Sequence, residues 1–427
     1  MNVSKLQTVL SMGLDKKVLK SLHQIYKIMK KDENFRISNY IKLMLNIIRG
    51  EKIVKFEDKY VISTFLPPFL SEAFIQNIKA VPSPQNIFTQ QIHAKRSAPI
   101  SMYLCLTHKC PNNCIYCSAK NRDGESELTT QEWIKVINDL QDMKTPIIGL
   151  TGGEPMLRED IFDIVKSIDK RSVSTLFTSG INLTPQKAKE LKKSGLFSLG
   201  ISLDSYDKVK HNKNRKSGSS FDYAISALQI SRKAGLYTMA QTVVLKDEVD
   251  EDKLFRLFKL AKENGAHEVK ILEPILSGEL LNSEDIKGIF YDNHSRRKLI
   301  DIQHKANKKK KFPKITTFAY TESEERYGCG AGTQHSYISA SGHLYPCDFV
   351  PMDFGSVRDE SISKLWVEMN KIIGKPKIGC FAQRINTQVY KKSNGHLPLN
   401  KNQSIEICLK NKSQKFPKYY RNLQKNI

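Results

Sequence analysis

No run of eighteen apolar residues occurs in this 427-residue chain, and no leader pattern of charge, apolar core and small-residue cleavage site appears in it. The first absence excludes a membrane-spanning helix, and the second predicts a soluble, cytoplasmic protein. Acidic residues are in short supply: 44 Asp and Glu against 68 Lys and Arg leave a formal charge of +24. That balance suits nucleic acid, an acidic lipid surface or an acidic peptide. Yet no RNA-binding motif appears, and the lysines are spread through helices and loops, densest at 308–311 and after Lys391. Nucleic acid is therefore not the expected partner. Cysteines number only eight. In a reducing compartment they read as metal or redox ligands before disulfides. The length leaves room for two or three domains.

Three of the eight cysteines fall in the run Cys110-Pro-Asn-Asn-Cys114-Ile-Tyr-Cys117. The C-x3-C-x2-C spacing puts three thiolates on one tight loop, all able to face a single centre. A cubane iron–sulfur cluster takes four cysteines, so three local ligands leave one iron open. Zinc sites pair C-x2-C with a second such pair or a His pair, and neither follows within thirty residues. On spacing alone, a cluster, a zinc knuckle and three buried thiols all stay open. About thirty-five residues on, an apolar run ends in Thr151-Gly152-Gly153-Glu154-Pro155. An apolar run bounded by Gly and Pro is a buried strand, and the glycines allow close backbone approach. Glu154 then stands at the strand's carboxyl end, where parallel α/β folds place their chemistry.

Together the two motifs resemble the radical S-adenosylmethionine (SAM) superfamily. The resemblance implies a [4Fe–4S] cluster on Cys110, Cys114 and Cys117, whose open iron chelates SAM. It implies SAM contacts at Gly152, Gly153 and Glu154, at Ser179 near the sugar, and at Ser202 and Asp204 in Ile-Ser-Leu-Asp-Ser. Arg215, in His211-x3-Arg215, would pair with the SAM carboxylate, which a guanidinium fork suits. Gln241 is a further candidate to face the barrel interior.

The remaining pattern predicts an α/β fold, a partial (β/α)6 TIM-like barrel over 98–310. Strands are expected at 100–107, 147–150, 174–178, 199–203, 237–245 and 268–272, alternating with helical patterns. Thr129 or Thr130 and the Thr184-Pro185 pair are helix starts. Residues 1–97 read as two amphipathic helices, a hairpin around Glu57-Asp58-Lys59 and a short helix from Ser71, forming a cap or a substrate-binding module. Cys105 reads as a buried small residue.

Beyond the barrel, Cys329-Gly-Ala-Gly, then Gly342-His-Leu-Tyr-Pro-Cys347, then Cys380 resemble the C-terminal auxiliary-cluster extension of many radical SAM enzymes. A hairpin turning at Ser341-Gly342 would bring Cys329 and Cys347 to one end, ahead of a helix carrying Ile362, Leu365 and Trp366. The full SPASM extension has about seven cysteines, so this shorter set implies the "twitch" form over 311–385, with one second [4Fe–4S] cluster. Its fourth ligand is open between Cys408, a non-cysteine side chain and the substrate. Residues 386–427 read as a basic tail, mobile except around Ile405–Leu409. The resemblance implies a radical SAM oxidoreductase that draws an electron from a flavodoxin or ferredoxin. Its implied substrate is a peptide or protein first, then a small molecule, lipid or tetrapyrrole precursor. A non-enzymatic metal scaffold binding nucleic acid is the contrasting possibility.

Overall fold

The structure, a computed structural model, describes residues 12–120, 126–282, 288–412 and 415–425. The N-terminal region carries α1 (Lys16–Met29), α2 (Ile37–Ile48), a hairpin of β1 (Val54–Phe56) and β2 (Lys59–Val61), α3 (Glu72–Lys79) and α4 (Ile87–Ile92). The hairpin turns at Glu57, which adopts the left-handed φ of 51°. The barrel follows as β3 (Ser101–Cys105), α5 (Thr130–Asp142), β4 (Ile147–Thr151), α6 (Ile161–Lys166), β5 (Val173–Thr178) and α7 (Pro185–Lys193). It continues as β6 (Ser198–Ser202), α8 (Lys208–Arg215), α9 (Ser220–Lys233), β7 (Tyr237–Val243), α10 (Glu251–Glu263), β8 (Glu268–Leu272), α11 (Asn293–Asn307), β9 (Lys314–Thr317) and α12 (Phe318–Thr321). The C-terminal part holds β10 (His335–Ile338), β11 (Leu344–Tyr345), α13 (Ile362–Ile373), α14 (Phe381–Ser393), α15 (Lys401–Lys410) and α16 (Lys418–Gln424).

Local chemistry sets these boundaries. Thr129 caps α5 in a capping box with Glu132, whose side chain reaches back to the Thr129 N–H. Thr184 caps α7 with Pro185 at its first position. The strands are β-branched and apolar because parallel sheets are covered on both faces. Ile148, Leu150, Leu176, Leu199 and Ile201 are fully buried, and so is Cys105.

All six expected strands, β3 to β8, lie in one sheet of order β11-β10-β3-β4-β5-β6-β7-β8-β9. Two edges extend it beyond the expected six. β9 pairs in parallel with β8 at Glu268↔Lys314 and Lys270↔Thr316, so the sheet runs past the boundary expected at residue 310. On the other edge β10 pairs in parallel with β3, matching His335 to Ser101 and Ile338 to Leu104. The auxiliary hairpin is thus the next strand of the barrel sheet. Arg358 clamps it further, reaching Glu132 at 2.7 Å and the Ser126 carbonyl at 3.1 Å.

The segment after 385, expected as a mobile tail, is instead largely helical. α14 and α15 bury Ile385, Val389 and Ile407 in the main core, and α16 buries Leu423 in the N-terminal cluster beside Phe88 and Ile92. Its lysines fall on outward positions while the apolar residues between them are covered, which low overall hydropathy conceals.

The N-terminal region is joined to the barrel by a buried ion pair. Lys314 Nζ on β9 lies 2.5 Å from Glu51 Oε2 and donates to the Ile62 carbonyl at 2.9 Å. Both side chains are essentially without solvent contact. Removing one member of such a pair strands the other, at about 3–5 kcal/mol. Glu51→Ala is therefore expected to lower the unfolding free energy by about 3 kcal/mol or more in denaturant titration. A change under about 1 kcal/mol would mean that Lys314 finds water or another acceptor.

Candidate active site

The cysteine loop follows β3 and is held by backbone bonds from two directions. The Ile115 N–H donates to the Asn214 carbonyl at 3.0 Å and the Asn113 N–H to the Arg215 carbonyl at 3.4 Å, both at the end of α8. The Glu279 N–H donates to the Cys117 carbonyl at 2.9 Å. Gly278, at φ 56°, brings its backbone so close to that carbonyl that a Cβ would lie 2.1 Å away. Cys110 is exposed, Cys117 half-buried and Cys114 buried. Burial raises Cys114, against the opposing pull of the Arg215 guanidinium.

α8 was not legible as a helix, because Lys, Asn and Arg dominate it. It nevertheless puts His211 and Arg215 one turn apart on its inner face. Arg215 binds Asp204 through two bonds, Nε to Oδ2 at 2.5 Å and Nη2 to Oδ1 at 3.0 Å. Its remaining Nη1 points at Cys114 Sγ, 3.6 Å away, and its guanidinium lies over the Tyr116 ring at 5.7 Å. Nδ1 of the buried His211 accepts from the Asp204 N–H at 3.1 Å. Both Asp204 oxygens are taken by Arg215, and Arg215 serves the cysteine loop from behind, as a hydrogen-bond donor that stabilises a thiolate.

Glu154 is likewise turned inward. Oε1 accepts from Thr178 Oγ1 at 2.6 Å and the Met156 N–H at 3.1 Å, and Oε2 from the Ser179 N–H at 2.8 Å and Ser179 Oγ at 2.6 Å. Burial raises its pKa, and these bonds pull it back. The carboxylate ties the end of β4 to the end of β5. The glycines face the other way: a Cβ on Gly152 would meet the Thr107 carbonyl at 2.5 Å, and one on Gly153 the Lys109 carbonyl at 2.3 Å. The Gly153 and Glu154 N–H groups donate to the Thr107 and Lys109 carbonyls at 2.7 and 2.8 Å. The paired glycines therefore let β4 seat the stem of the cysteine loop. Ser202 ends β6 beside Gln241 in register.

Beneath these strand ends lies a cavity. Thr151 and Gln241 line it near the carboxyl ends of the strands, Tyr103, Phe177 and Lys270 at mid-height, and Cys329, Cys347 and Cys380 elsewhere in its wall. Because β10 runs parallel to β3, Cys329 precedes β10 at the end of the sheet opposite the first cysteine loop. The Cys380 thiol donates to Cys329, lowering the pKa of Cys329 and raising that of Cys380. Cys347 Sγ lies 3.2 Å from Asp348 Oδ1, which His335 Nε2 approaches at 3.3 Å. Among the described residues, His335, Cys347 and Asp348 are the one trio of metal-ligating type whose ligand atoms all lie within 4.8 Å of one another. Cys408 is not among the residues lining this cavity; it is buried in the core on α15, with its thiol pushed up to about 12 by burial. Nothing in the spacing of Glu268–Leu272 marks Lys270, whose burial is visible only in three dimensions.

Residues 104–279 match the Radical SAM superfamily and residues 329–409 the SPASM iron–sulfur cluster-binding domain. This chain is a radical SAM enzyme with a C-terminal SPASM domain. The enzyme uses SAM and a [4Fe–4S] cluster, with an additional iron–sulfur cluster in the SPASM domain. Among characterised relatives, the AdoMet-dependent heme synthase of Methanosarcina barkeri is 27% identical over 293 residues, 64% of this chain and 83% of the relative. That of Nitratidesulfovibrio vulgaris is 27% identical over 286 residues, 61% of this chain and 77% of the relative. In fold the chain is similar to Streptococcus suis SuiB bound to precursor peptide SuiA, with TM-score 0.55 and 18% identity, over 66% of this chain and 67% of that one. It is also similar to anSMEcpe with bound AdoMet, with TM-score 0.52 and 17% identity, over 76% and 95%. These neighbours are radical SAM enzymes with partial TIM barrels, the fold expected for 98–310. Among the described residues, no helix is long and apolar enough to cross a membrane.

Two outcomes test the geometry. Glu154→Gln presents an NH2 to donors that now meet an oxygen. Stranding one or two buried donors is expected to cost about 2–4 kcal/mol and to lower iron loading as well as SAM affinity, in iron assays and equilibrium dialysis. Cys408→Ala should leave iron and sulfide per chain unchanged, whereas Cys329→Ala should lower both.

Proposed function

We propose that Cys110, Cys114 and Cys117 hold the SAM-binding cluster, that Cys329, Cys347 and Cys380 hold the second, and that a substrate in the cavity between them is oxidised. The observation that carries this reading is the cavity itself, whose wall runs from Thr151, next to the paired glycines, to the three auxiliary cysteines. The donor sets fit. Three thiols on a loop stem fixed by glycine contacts, with Arg215 N–H at Cys114 Sγ, suit a cluster with one open iron. When bound, the first cluster and SAM supply a 5′-deoxyadenosyl radical with one electron from a donor such as a flavodoxin or ferredoxin, and the second cluster supplies an acceptor for the electron the substrate loses.

The residues of the chain position and shield. Arg215 steadies the Cys114 thiolate while Asp204 and His211 fix its angle. Glu154 locks the β4 and β5 ends against the loop stem. Tyr103, Phe177, Phe65 and Phe318 line the cavity with aromatic surface, which excludes water from a reactive carbon radical.

A tetrapyrrole precursor is the substrate class we favour over a peptide. The two sequence relatives described above are named heme synthases. Likeness to the peptide-bound SuiB is a likeness of fold alone, at 18% identity. Thr64, Phe65 and Leu66 of the N-terminal region also line the cavity, so that region forms part of its wall.

Anaerobically reconstituted enzyme, reduced and supplied with SAM, is expected to form 5′-deoxyadenosine and to convert a propionate-bearing porphyrin, read by mass spectrometry. The Cys110/Cys114/Cys117 triple alanine variant should lose about four irons and all SAM cleavage. The Cys329/Cys347/Cys380 triple variant should retain cleavage without product. Undiminished 5′-deoxyadenosine from the first variant would sink the assignment. Conversion of short peptides instead of porphyrins would move the substrate class.

A further inference from the structure

Lys270 stands third of five residues in β8, at mid-height of the barrel and opposite Gln241 and Thr316 in register. Its side chain lines the cavity, yet the residue is only 3% exposed. The ammonium sits among four aromatic rings, at 5.2 Å from the centroid of Phe318, 5.3 Å from Phe65, 5.4 Å from Phe177 and 5.7 Å from Tyr103. Ring faces at that range attract a cation. Its hydrogen bond, at 3.2 Å, goes to the Tyr103 hydroxyl. An ammonium has three donors, so two of them meet no acceptor among the described residues.

Buried charges are ordinarily paired, and every acid in the cavity wall is committed elsewhere. Glu273 is bound by Arg296 at 3.0 Å, Asp348 by His335 at 3.3 Å and Glu322 by Cys380. Lys314, the buried lysine of the neighbouring strand, has Glu51 at 2.5 Å. Lys270 has no ion-pair partner among the described residues. A cation held by rings, with two donors free over a cavity, is an anion site awaiting its anion.

We infer that Lys270 binds a carboxylate group of the substrate, placing the adjoining carbon chain in the aromatic cage between the two cysteine clusters. The inference deepens the reading of a substrate in this cavity and rests on it. Tyr103 and Gln241 flank the ammonium with neutral hydrogen-bonding groups, and the rings pack the carbons that carry the carboxylate. The chemistry fits an aryl- or alkyl-carboxylate, and it disfavours a cationic or amide group at that point.

Binding of 3-phenylpropionate and of 3-phenylpropionamide to the reconstituted full-length protein, by isothermal titration without SAM, tests this directly. The acid is expected to bind at least tenfold more tightly than the isosteric amide, the usual worth of a charge-assisted over a neutral hydrogen bond. Lys270→Met should erase that preference and Lys270→Arg should keep it. The acid–amide comparison on the unaltered protein needs no variant to fold. Equal binding of acid and amide, no binding of the acid, or an unchanged preference in Lys270→Met would each overturn the inference. Displacement of the acid by saturating SAM would also overturn it, by assigning the ammonium to the cofactor. The measurement is independent of turnover. Acid binding through Lys270 in a protein that makes no 5′-deoxyadenosine would overturn the reaction and leave this site standing.

Discussion

The structure depends on the contact between two strand ends, where Gly152 and Gly153 lie flat against Thr107–Lys109. That contact is possible only without side chains, since a Cβ at either glycine would meet a carbonyl oxygen within 2.5 Å. It fixes the stem from which the three cysteines project. Glu154 then carries the constraint across to β5 through three donors, Thr178 Oγ1 and the N–H and Oγ of Ser179, so three consecutive strands present their ends as one rigid rim. A buried carboxylate is costly unless every lone pair is used. Here the saturation makes it an anchor between the ends of β4 and β5.

The parallel pairing of β10 with β3 has a second consequence. A parallel neighbour keeps its amino end beside the amino end of its partner, so residues before β10 and residues after β3 fall at opposite ends of the sheet. At about 3.3 Å per residue, the five residues of β3 separate those ends by roughly 13 Å or more. The two cysteine groups therefore lie at opposite ends of the sheet, with Cys329, Cys347 and Cys380 in the cavity wall and the first loop beyond Thr151 at its other end. An antiparallel addition would have brought Cys329 to the same rim as Cys110. The direction of one edge strand thus sets up a two-centre arrangement.

Much of this was legible in the chain. The cysteine loop and the Gly-Gly-Glu-Pro end stood out because their chemistry is local, as did the strands with their β-branched runs and the caps at Thr129 and Thr184. What stayed hidden depends on partners far away in sequence. α8 reads as a solvated run because seven of its eight residues are polar or charged, and only Asp204 and Cys114 reveal its inner face. The helices after 385 read as a tail because lysines outnumber the few apolar positions that the core covers. The pairing of β10 with β3 spans more than two hundred residues and leaves no periodic trace. Lys270 is the extreme case. A lysine in an alternating strand signals an exposed face, and here both faces are covered.

The two buried lysines of adjacent strands make that last point sharper. Lys314 and Lys270 lie in neighbouring strands, and each replaces a residue that would be apolar in an ordinary parallel sheet. The first is neutralised by Glu51 and holds the N-terminal region in place. The second is surrounded by rings that tolerate its charge without cancelling it. If both were structural, one sheet would have solved the same electrostatic problem in two ways, once fully and once by half. The half-solved one lines the cavity that holds the auxiliary cysteines, and the solved one sits without solvent contact at the junction with the N-terminal region. That difference in location separates a lysine kept for stability from a lysine kept for a ligand, because an uncompensated charge at the centre of a cavity is stable only at a cost that a bound anion removes.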